Sequence, residues 1–285
     1  MGGPVKTVLT GATGPVGRAT TQLLLDTGHE VTAISRTPER AGLPGGVRVA
    51  RGDPSRPQSL GPVFDGADAV LISPRAVGAA VPELLAAAVG GGVRRVVVIS
   101  AATVQFPAGE PRFAAEFRAA EAAARESGLT WTALRCTDFD ANALAWAPQI
   151  RAAGVVRGAY PAAASSPIHH RDIAAVAARA LTEAGPADRA HVLTGLQSLT
   201  QLDKVRILAA TLGIDLSFDE VPADRVRAAM LAQGLPEEIP ARLLGSLADY
   251  ARTPGPTTGT VEALLGRPAL TFAQWVAENA TAFRN

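Results

Sequence analysis

The first 36 residues commit the chain to a turn that few folds can use. Val5 to Thr10 (VKTVLT) is a short β-branched run that ends in Gly11-Ala12-Thr13-Gly14-Pro15-Val16-Gly17, and Val16 to Thr27 then carries apolar residues at helical spacing through Ala19, Leu23 and Leu24. Gly28-His29-Glu30 turns the chain and Val31 to Ser35 (VTAIS) reads as a second strand, completing one βαβ unit. Parallel strands need such a crossover, and a sheet made of them is covered by helices on both faces.

The alternation continues. Val47 to Ala50, Ala69 to Ser73 (AVLIS), Arg95 to Ser100 (RVVVIS) and Thr130 to Leu134 (TWTAL) read as strands, with helices over Pro82 to Val89 and Arg112 to Ser127, the latter closed by Gly128. Continuous apolar strands alternating with helices define a Rossmann-type, doubly wound α/β domain. Ligands of such sheets lie beyond the carboxyl ends of the strands, which places Thr10, Arg36, Asp53, Ser73, Ser100 and Arg135 along one crevice.

A glycine turn between a strand and a helix suits a pyrophosphate, because glycine lets the backbone approach closely and the helix N-terminus offers unpaired N–H groups. The spacing here is G-x-x-G-x-x-G rather than G-x-G-x-x-G, so the strand-before, helix-after context carries the reading. Gly11, Thr13, Gly14, Pro15, Val16 and Gly17 are the candidate pyrophosphate-binding residues. The end of the second strand selects the dinucleotide. A carboxylate there would hold the ribose hydroxyl of NAD, whereas an arginine suits the 2′-phosphate of NADP. Ile34-Ser35-Arg36-Thr37 has no carboxylate, and Arg40 follows one helical turn later, so NADP is preferred over NAD. The alternative is that Arg36 is a solvated surface arginine.

Composition excludes several other classes. The 285 residues are 47% hydrophobic and 19% charged, which is globular rather than disordered and enough for one large domain or two small ones. A net charge of +1 lacks the concentrated positive field of a nucleic-acid binder. The most apolar stretch, Ala76 to Val93, is interrupted by Pro82 and Glu83, so no membrane span is expected. Cys136 is the one cysteine, which fits a reducing, cytoplasmic compartment. Gly2 has the myristoylation position, but Lys6 stands where Ser or Thr is required, and no targeting segment is expected. Only Lys6 and Lys204 are lysines and the other basic residues are arginines, a bias of GC-rich bacterial genomes.

TVLTGATGPVG at 7–17, ISRTPER at 34–40, GDPSRPQSL at 52–60, GADAVLISP at 66–74, VVVIS at 96–100, ESGLTWTALR at 126–135 and HRDIAAVAARAL at 170–181 together resemble the NmrA-like, quinone-oxidoreductase-like branch of the atypical short-chain dehydrogenases/reductases. The match spans about the first 200 residues and continues more weakly through HVLTGLQSLT at 191–200. The resemblance implies that Arg36 holds the adenosine 2′-phosphate, that Asp53 touches the adenine, and that Ser73 and Pro74 border the nicotinamide ribose. Reductases of the wider superfamily pair a serine after the fifth strand with a Tyr-x-x-x-Lys on the next helix. Ser100 matches the serine. Counting back from Glu121, the Tyr and Lys positions fall on Phe113 and Phe117. Phenylalanine neither protonates an alkoxide nor carries charge, so a carbonyl reduction that needs an acid is disfavoured, and an acceptor needing little proton assistance, such as a quinone, is preferred. Alternatively, the two rings at i and i+4 simply pack the helix.

Few other polar candidates remain. Asp138 and Asn142 are placed to hydrogen-bond an acceptor, Asn142 matching an asparagine of the quinone-reducing relatives, while Asp138 has the alternative of capping the short helix after it. Tyr160, in a Gly/Pro-rich stretch, is a candidate acid. His169-His170 lacks a third ligand at metal spacing, so no metal is expected. Asp172 reads as the cap of a helix over Ile173 to Leu181, and Cys136 as buried filler. Trp131, Phe139, Trp146 and Met230 are either the lining of an apolar pocket for a flat substrate or core.

Gly154 to Pro167 reads as a connection and His191 to Leu193 as a strand returning to the main sheet. Beyond them come a helix Leu199 to Leu212, a strand Leu216 to Val221, helices Ala223 to Gln233 and Glu237 to Tyr250, a loop Arg252 to Thr260, the short segment Val261 to Leu265 and a last helix Phe272 to Phe283. The expected division is therefore a nucleotide-binding domain at 1–150, with 168–195 returning to it, and a smaller, mostly helical substrate-covering region at 151–167 and 196–285. The functional expectation is an NADPH-dependent reductase of a quinone or related conjugated carbonyl, possible in secondary-metabolite tailoring, with a homodimer left open. The competing readings are a non-catalytic NADP-binding regulator and a non-redox enzyme on the same fold.

Overall fold

A computed structural model describes residues 3–284, so the Gly2 of the terminal motif lies outside the described residues. In chain order the elements are β1 (Lys6–Leu9), α1 (Pro15–Asp26), β2 (Glu30–Ser35), β3 (Arg48–Arg51), β4 (Ala69–Ile72), α2 (Pro74–Val77), α3 (Val81–Gly90), β5 (Arg95–Ala101), α4 (Pro111–Glu126) and β6 (Thr130–Cys136). They continue with α5 (Ala147–Ala153), β7 (Val155–Gly158), β8 (Ala164–Ser165), α6 (His170–Thr182), β9 (Arg189–Leu193), β10 (Leu199–Thr200), α7 (Gln201–Leu212), β11 (Ser217–Glu220), α8 (Ala223–Ala232), α9 (Glu238–Arg252), α10 (Thr260–Leu265) and α11 (Phe272–Glu278). Two compact units result. The first comprises Met1–Val104, Ala115–Cys136 and His170–Val192, and the second Gln105–Ala114, Thr137–His169 and Leu193–Asn285.

The first unit is built on a seven-stranded sheet of order β3-β2-β1-β4-β5-β6-β9. Every pairing from β3 through to β6 is parallel. β4 is buried along its whole length and β5 nearly so, as their unbroken apolar runs require of strands covered on both faces. The order reverses between β1 and β4, which creates the crevice where doubly wound folds bind ligands. Thr10 fixes that edge: its hydroxyl donates to Leu71 O at 3.0 Å and accepts the Ser73 N–H at 2.8 Å.

The second unit has its own core, in which Val156, Val205, Leu208, Leu212, Phe272, Trp275 and Phe283 are buried together. Trp275 stacks on Phe272 at 5.9 Å between ring centroids and meets Phe283 edge-on at 6.2 Å. Two small sheets brace it, β7 with β11 in parallel and β8 with β10 antiparallel. α7 opens on a capping box in which Thr200 and Asp203 satisfy each other's backbone N–H groups, and it closes on Gly213 in the left-handed region.

Three local expectations change. Residues 154–167, read as a connection, hold β7 and β8, and the run from Ala163 to His169 is buried. Helix α6 starts at His170, two residues before Asp172, which therefore lies within the first turn, where its charge favours the helix dipole. Leu199 belongs to β10, leaving Thr200 as the cap of α7.

Candidate functional site

The cofactor candidates lie in the first unit. Gly11 adopts φ 67°, and a Cβ there would stand 2.9 Å from Ser73 Cβ. At Gly17 a Cβ would fall 2.3 Å from Gly11 O and 2.6 Å from Ala12 Cα, so only glycine closes the turn onto the helix. Pro15 occupies the first turn of α1, Gly14 precedes it without any side-chain cap, and no acidic residue sits in the first turn. The N–H groups of Val16 and Gly17 lie in that first turn, at the positive end of the helix dipole, which is the cradle a pyrophosphate requires. Arg18 staples this loop to the one after β2, donating from Nε to Thr13 O at 2.9 Å and from its terminal nitrogens to Ala41 O and Gly42 O.

Arginines around the end of β2 divide into two kinds. Arg51 is committed to Glu39 at 2.9 Å and to Arg36 O at 3.2 Å. Arg36 and Arg40 are exposed, and neither side chain makes a hydrogen bond or ion pair among the described residues. Asp53 beside them has its carboxyl held below the usual range, chiefly by the Ser55 hydroxyl and N–H, with smaller help from the charges of Arg36 and Arg56. Ser73 precedes α2, and Pro74 opens that helix buried. These residues fit a dinucleotide: the turn has no room for a side chain at Gly11 or Gly17, and the uncommitted Arg36 and Arg40 could hold a 2′-phosphate.

Ser100, at the end of β5, has a different engagement from the one its superfamily position implies. Its hydroxyl donates to Glu121 Oε1 at 2.5 Å, and the same carboxylate receives the Arg135 fork, Nε to Oε1 at 2.9 Å and a terminal nitrogen to Oε2 at 2.6 Å. Glu121 is 1% exposed and Arg135 19%. Glu121 in turn holds the Arg135 guanidinium above its usual pKa. Both carboxylate oxygens are partnered and the serine proton is spent.

The acceptor candidates belong to the second unit. Asn142 is exposed on the short 3-10 helix Asp140–Trp146. That helix is preceded by Phe139 without a side-chain cap, so Asp138 does not cap it. Asp138 instead joins Ser165 and Lys204 in a triangle. Lys204 Nζ donates to Ser165 Oγ at 2.9 Å and to Asp138 Oδ2 at 3.2 Å, and Ser165 Oγ donates to Asp138 Oδ2 at 3.1 Å. Asp138 Oδ1 is buried with no hydrogen-bond partner. Tyr160 is held at φ 57° in the turn that Ala163 N–H closes on Tyr160 O. The tyrosine near Asp138 is Tyr250 on α9, whose phenol is pushed up to about 12 by burial first and by the charges of Asp138 and Asp249 next.

Phe113 lies under the Arg242 guanidinium, 4.5 Å from its centroid, and Phe117 is buried. Trp131 packs against the core of the first unit with Arg125 over its ring, and Trp146 packs against the core of the second. Burial raises the Cys136 thiol far above its ordinary value, which leaves it unreactive. Among the described residues no three His, Cys, Asp or Glu side chains converge on a metal position, and no helix is long and apolar enough to cross a membrane. Glu121, Ser165, Lys204 and Tyr250 were not singled out as site residues from sequence, and Arg135 was placed along the crevice without a role. A charged residue on an apolar helical stripe was the available signal: α7 buries Gln201, Lys204, Val205, Leu208 and Leu212 on one face.

A glycine cradle at the β1/β4 switch point, on a sheet of this order, defines a dinucleotide-binding α/β protein. The chain belongs to the NAD(P)H-binding family, whose profile matches residues 11–184, and this fits the resemblance to atypical short-chain dehydrogenases/reductases. It is 37% identical over 278 residues to the (4-alkanoyl-5-oxo-2,5-dihydrofuran-3-yl)methyl phosphate reductase of Streptomyces griseus subsp. griseus, covering 97% of this chain and 98% of that protein. It is 30% identical over 291 residues to the NAD(P)H azoreductase of Xenophilus azovorans, covering 97% and 98%. Among solved structures it is similar to the NADPH-dependent quinone oxidoreductase of Escherichia coli, with a TM-score of 0.83, 25% identity, and coverage of 96% of this chain and 99% of that one. The chain is thus an NAD(P)H-dependent oxidoreductase, and the expectation of an NADP-type cofactor agrees with these findings.

Proposed function

We propose that the chain is an NADPH-dependent reductase of small, electron-poor conjugated acceptors, with quinones and acylated unsaturated lactones as the chemical classes to test first. The observation that carries this reading is the pair Phe113 and Phe117: α4 offers neither a phenol nor an ammonium where the superfamily keeps its acid. When bound, the nicotinamide supplies a hydride. The chain's part is to hold the cofactor and orient the acceptor, and an acceptor whose new charge spreads over a conjugated system tolerates weak proton assistance. The named relatives support this, since a quinone, an azo group and an acyl dihydrofuranone are each conjugated two-electron acceptors.

Gly11, Thr13, Gly14, Pro15, Val16 and Gly17 cradle the pyrophosphate, Arg36 with Arg40 holds the 2′-phosphate, Asp53 meets the adenine, and Ser73 with Pro74 borders the nicotinamide ribose. Asp138 and Asn142 face the acceptor. Ser100, its proton on Glu121, positions the end of β5 and does not donate to the acceptor. We assign the protein to the cytoplasm, a setting that a single buried cysteine supports. The test is NADPH oxidation followed at the nicotinamide absorbance with a series of quinones and an acyl butenolide phosphate. Acceleration by members of that series is expected. Tight NADPH binding without acceleration by any of them would return the reading to a ligand-sensing regulator.

A further inference from the structure

The glycine turn before α1 and the loop after β2, both in the first unit, are held by different means. The turn closes on itself: Gly14 N–H donates to Gly11 O at 3.1 Å, Arg18 N–H donates to Gly14 O at 2.9 Å, and Gly17 has no room for a side chain. Arg36 is anchored by the sheet, because Ser35 before it pairs with Arg51 and its carbonyl accepts the Gly52 N–H at 3.0 Å. Arg40 has no such anchor. It ends the 3-10 turn Pro38–Arg40, which the Arg40 and Ala41 N–H groups close on Thr37 O and Pro38 O, and the stretch that follows, Gly42-Leu43-Pro44-Gly45-Gly46, belongs to no helix or strand. Three glycines in five residues leave that stretch much conformational freedom to lose.

Arg18 supplies the missing tether. Among the described residues it is the one side chain that hydrogen-bonds to residues 41–46: its terminal nitrogens donate to Ala41 O at 2.8 Å and to Gly42 O, while Nε donates to Thr13 O at 2.9 Å. Gly42 stands at φ 54°, in the left-handed region, and its carbonyl and that of Ala41 accept from the same guanidinium. Three of the five N–H bonds of that guanidinium thus go to backbone carbonyls on two segments.

We propose that Arg18 is a positioning residue that sets coenzyme preference: by tying Ala41 and Gly42 to Thr13 it holds Arg40 in fixed register with the glycine turn, so that NADPH binding depends on it far more than NADH binding does. The proposal rests on the reading that Arg36 and Arg40 hold the 2′-phosphate. A cation ordered before its ligand arrives loses less conformational freedom on binding. NADH carries no phosphate for Arg40 to meet, and the glycine turn keeps its own backbone bonds without Arg18, so the loss falls on the phosphorylated coenzyme. Arg51 differs in kind, since its bond to Arg36 O repeats what the β2–β3 pairing already fixes.

The experiment measures NADPH and NADH affinities by calorimetry on wild type, Arg18→Met, Arg18→Lys and Arg36→Ala, together with amide hydrogen exchange of the coenzyme-free proteins. Arg18→Met should weaken NADPH about tenfold and NADH less than about threefold, the scale of ordering loop side chains on binding. Lysine keeps the charge but not a fork that spans three carbonyls, so Arg18→Lys should still weaken NADPH about fivefold. The Arg40 and Ala41 amides should exchange about tenfold faster in Arg18→Met, with those of β1 and β4 unchanged. Equal losses for the two coenzymes would make Arg18 a general brace of the turn and overturn the proposal. Full NADPH affinity in Arg18→Lys would overturn it as well, because charge acting directly on the phosphate would then suffice. Unchanged exchange at Arg40 and Ala41 overturns it too. A wild-type preference for NADPH that Arg36→Ala abolishes and Arg18→Met keeps overturns this proposal alone. No wild-type preference, or one that Arg36→Ala leaves intact, defeats the 2′-phosphate reading and the proposal with it. Should Arg18→Met fail to fold, Arg18→Lys decides by the same two measurements.

Discussion

Each unit of this protein gathers a cation and a serine on one carboxylate, and the two clusters differ in how completely their bonds are used. In the first unit Glu121 receives Ser100 and both arms of the Arg135 fork, so neither oxygen is left over. In the second, Asp138 shares one oxygen between Ser165 and Lys204 while its other oxygen is buried unpartnered. The same three kinds of group therefore make a saturated brace in one place and leave a carboxylate oxygen unpartnered in the other. A closed network holds structure because removing a member strands the rest. An open one retains bonding capacity for a ligand.

That contrast is easiest to break at Glu121. Glu121→Ala strands a largely buried guanidinium and should lower stability by about 3–5 kcal/mol in a denaturant titration, with activity per folded molecule within tenfold of wild type. A selective loss of turnover without loss of stability would show that the first cluster is also chemical.

The next effect extends the same distinction to the arginines at the end of β2. Arg36→Ala should weaken NADPH binding by about 1.5–3 kcal/mol, roughly 10- to 150-fold, and leave NADH nearly unchanged in calorimetry. Arg51→Ala, which removes an arginine already committed to Glu39, should alter neither by more than a few-fold. Equal losses for the two variants would erase the distinction between spent and unspent cations.

Smaller again is Ser100→Ala. It deletes one of three donors to Glu121, so the expected cost is about 1 kcal/mol of stability and less than a tenfold change in kcat. A loss of kcat by orders of magnitude would restore Ser100 to the donor role that its superfamily position implies.

The smallest effect concerns the helix that carries Lys204. Asp203 is held below the usual aspartate range, first by the Thr200 hydroxyl and then by the Thr200 N–H. A depressed folded-state pKa contributes stability that is present above the unfolded value, ordinarily 3.8 for aspartate, and is lost as pH falls through the folded value. Asp203→Asn should therefore remove a few tenths of a kcal/mol at neutral pH, solvent screening included, and flatten the decline of stability below about pH 4. An unchanged acid limb would mean that the capping carboxylate does not anchor α7.

Legibility from sequence followed the range of the interactions. The glycine cradle was readable because its requirements are local: a positive φ at Gly11 and no space at Gly17 lie within seven residues. The place of Arg36 just after β2 was readable because strand length fixes its offset from the turn. The doubly wound parallel sheet followed from alternating strands and helices, while the strand order β3-β2-β1-β4-β5-β6-β9 came from the structure. The acceptor side was harder. Lys204 reaches Asp138 across 66 residues and Ser165 across 39, and no local pattern encodes contacts at that distance. Its place on the buried stripe of α7 was visible, as was that of Glu121 on α4. Which of the two charges closes a network and which leaves one open depends on partner geometry that neither stripe contains. Tyr160 was singled out for its Gly/Pro-rich surroundings, and the structure places it in a turn that Ala163 N–H closes on its carbonyl.

Thr10 finally has a consequence for how such a protein diversifies. By joining the ends of β1 and β4 through one hydroxyl, it makes the nucleotide edge of the sheet a stiff fixture that is indifferent to which molecule receives the electrons. Under the proposed function, novelty would then fall to segments such as residues 138–165 and α7, where substitutions would exchange one acceptor for another without retuning the grip on the coenzyme. A lineage built this way changes its chemistry by replacing a fitting rather than redesigning the tool.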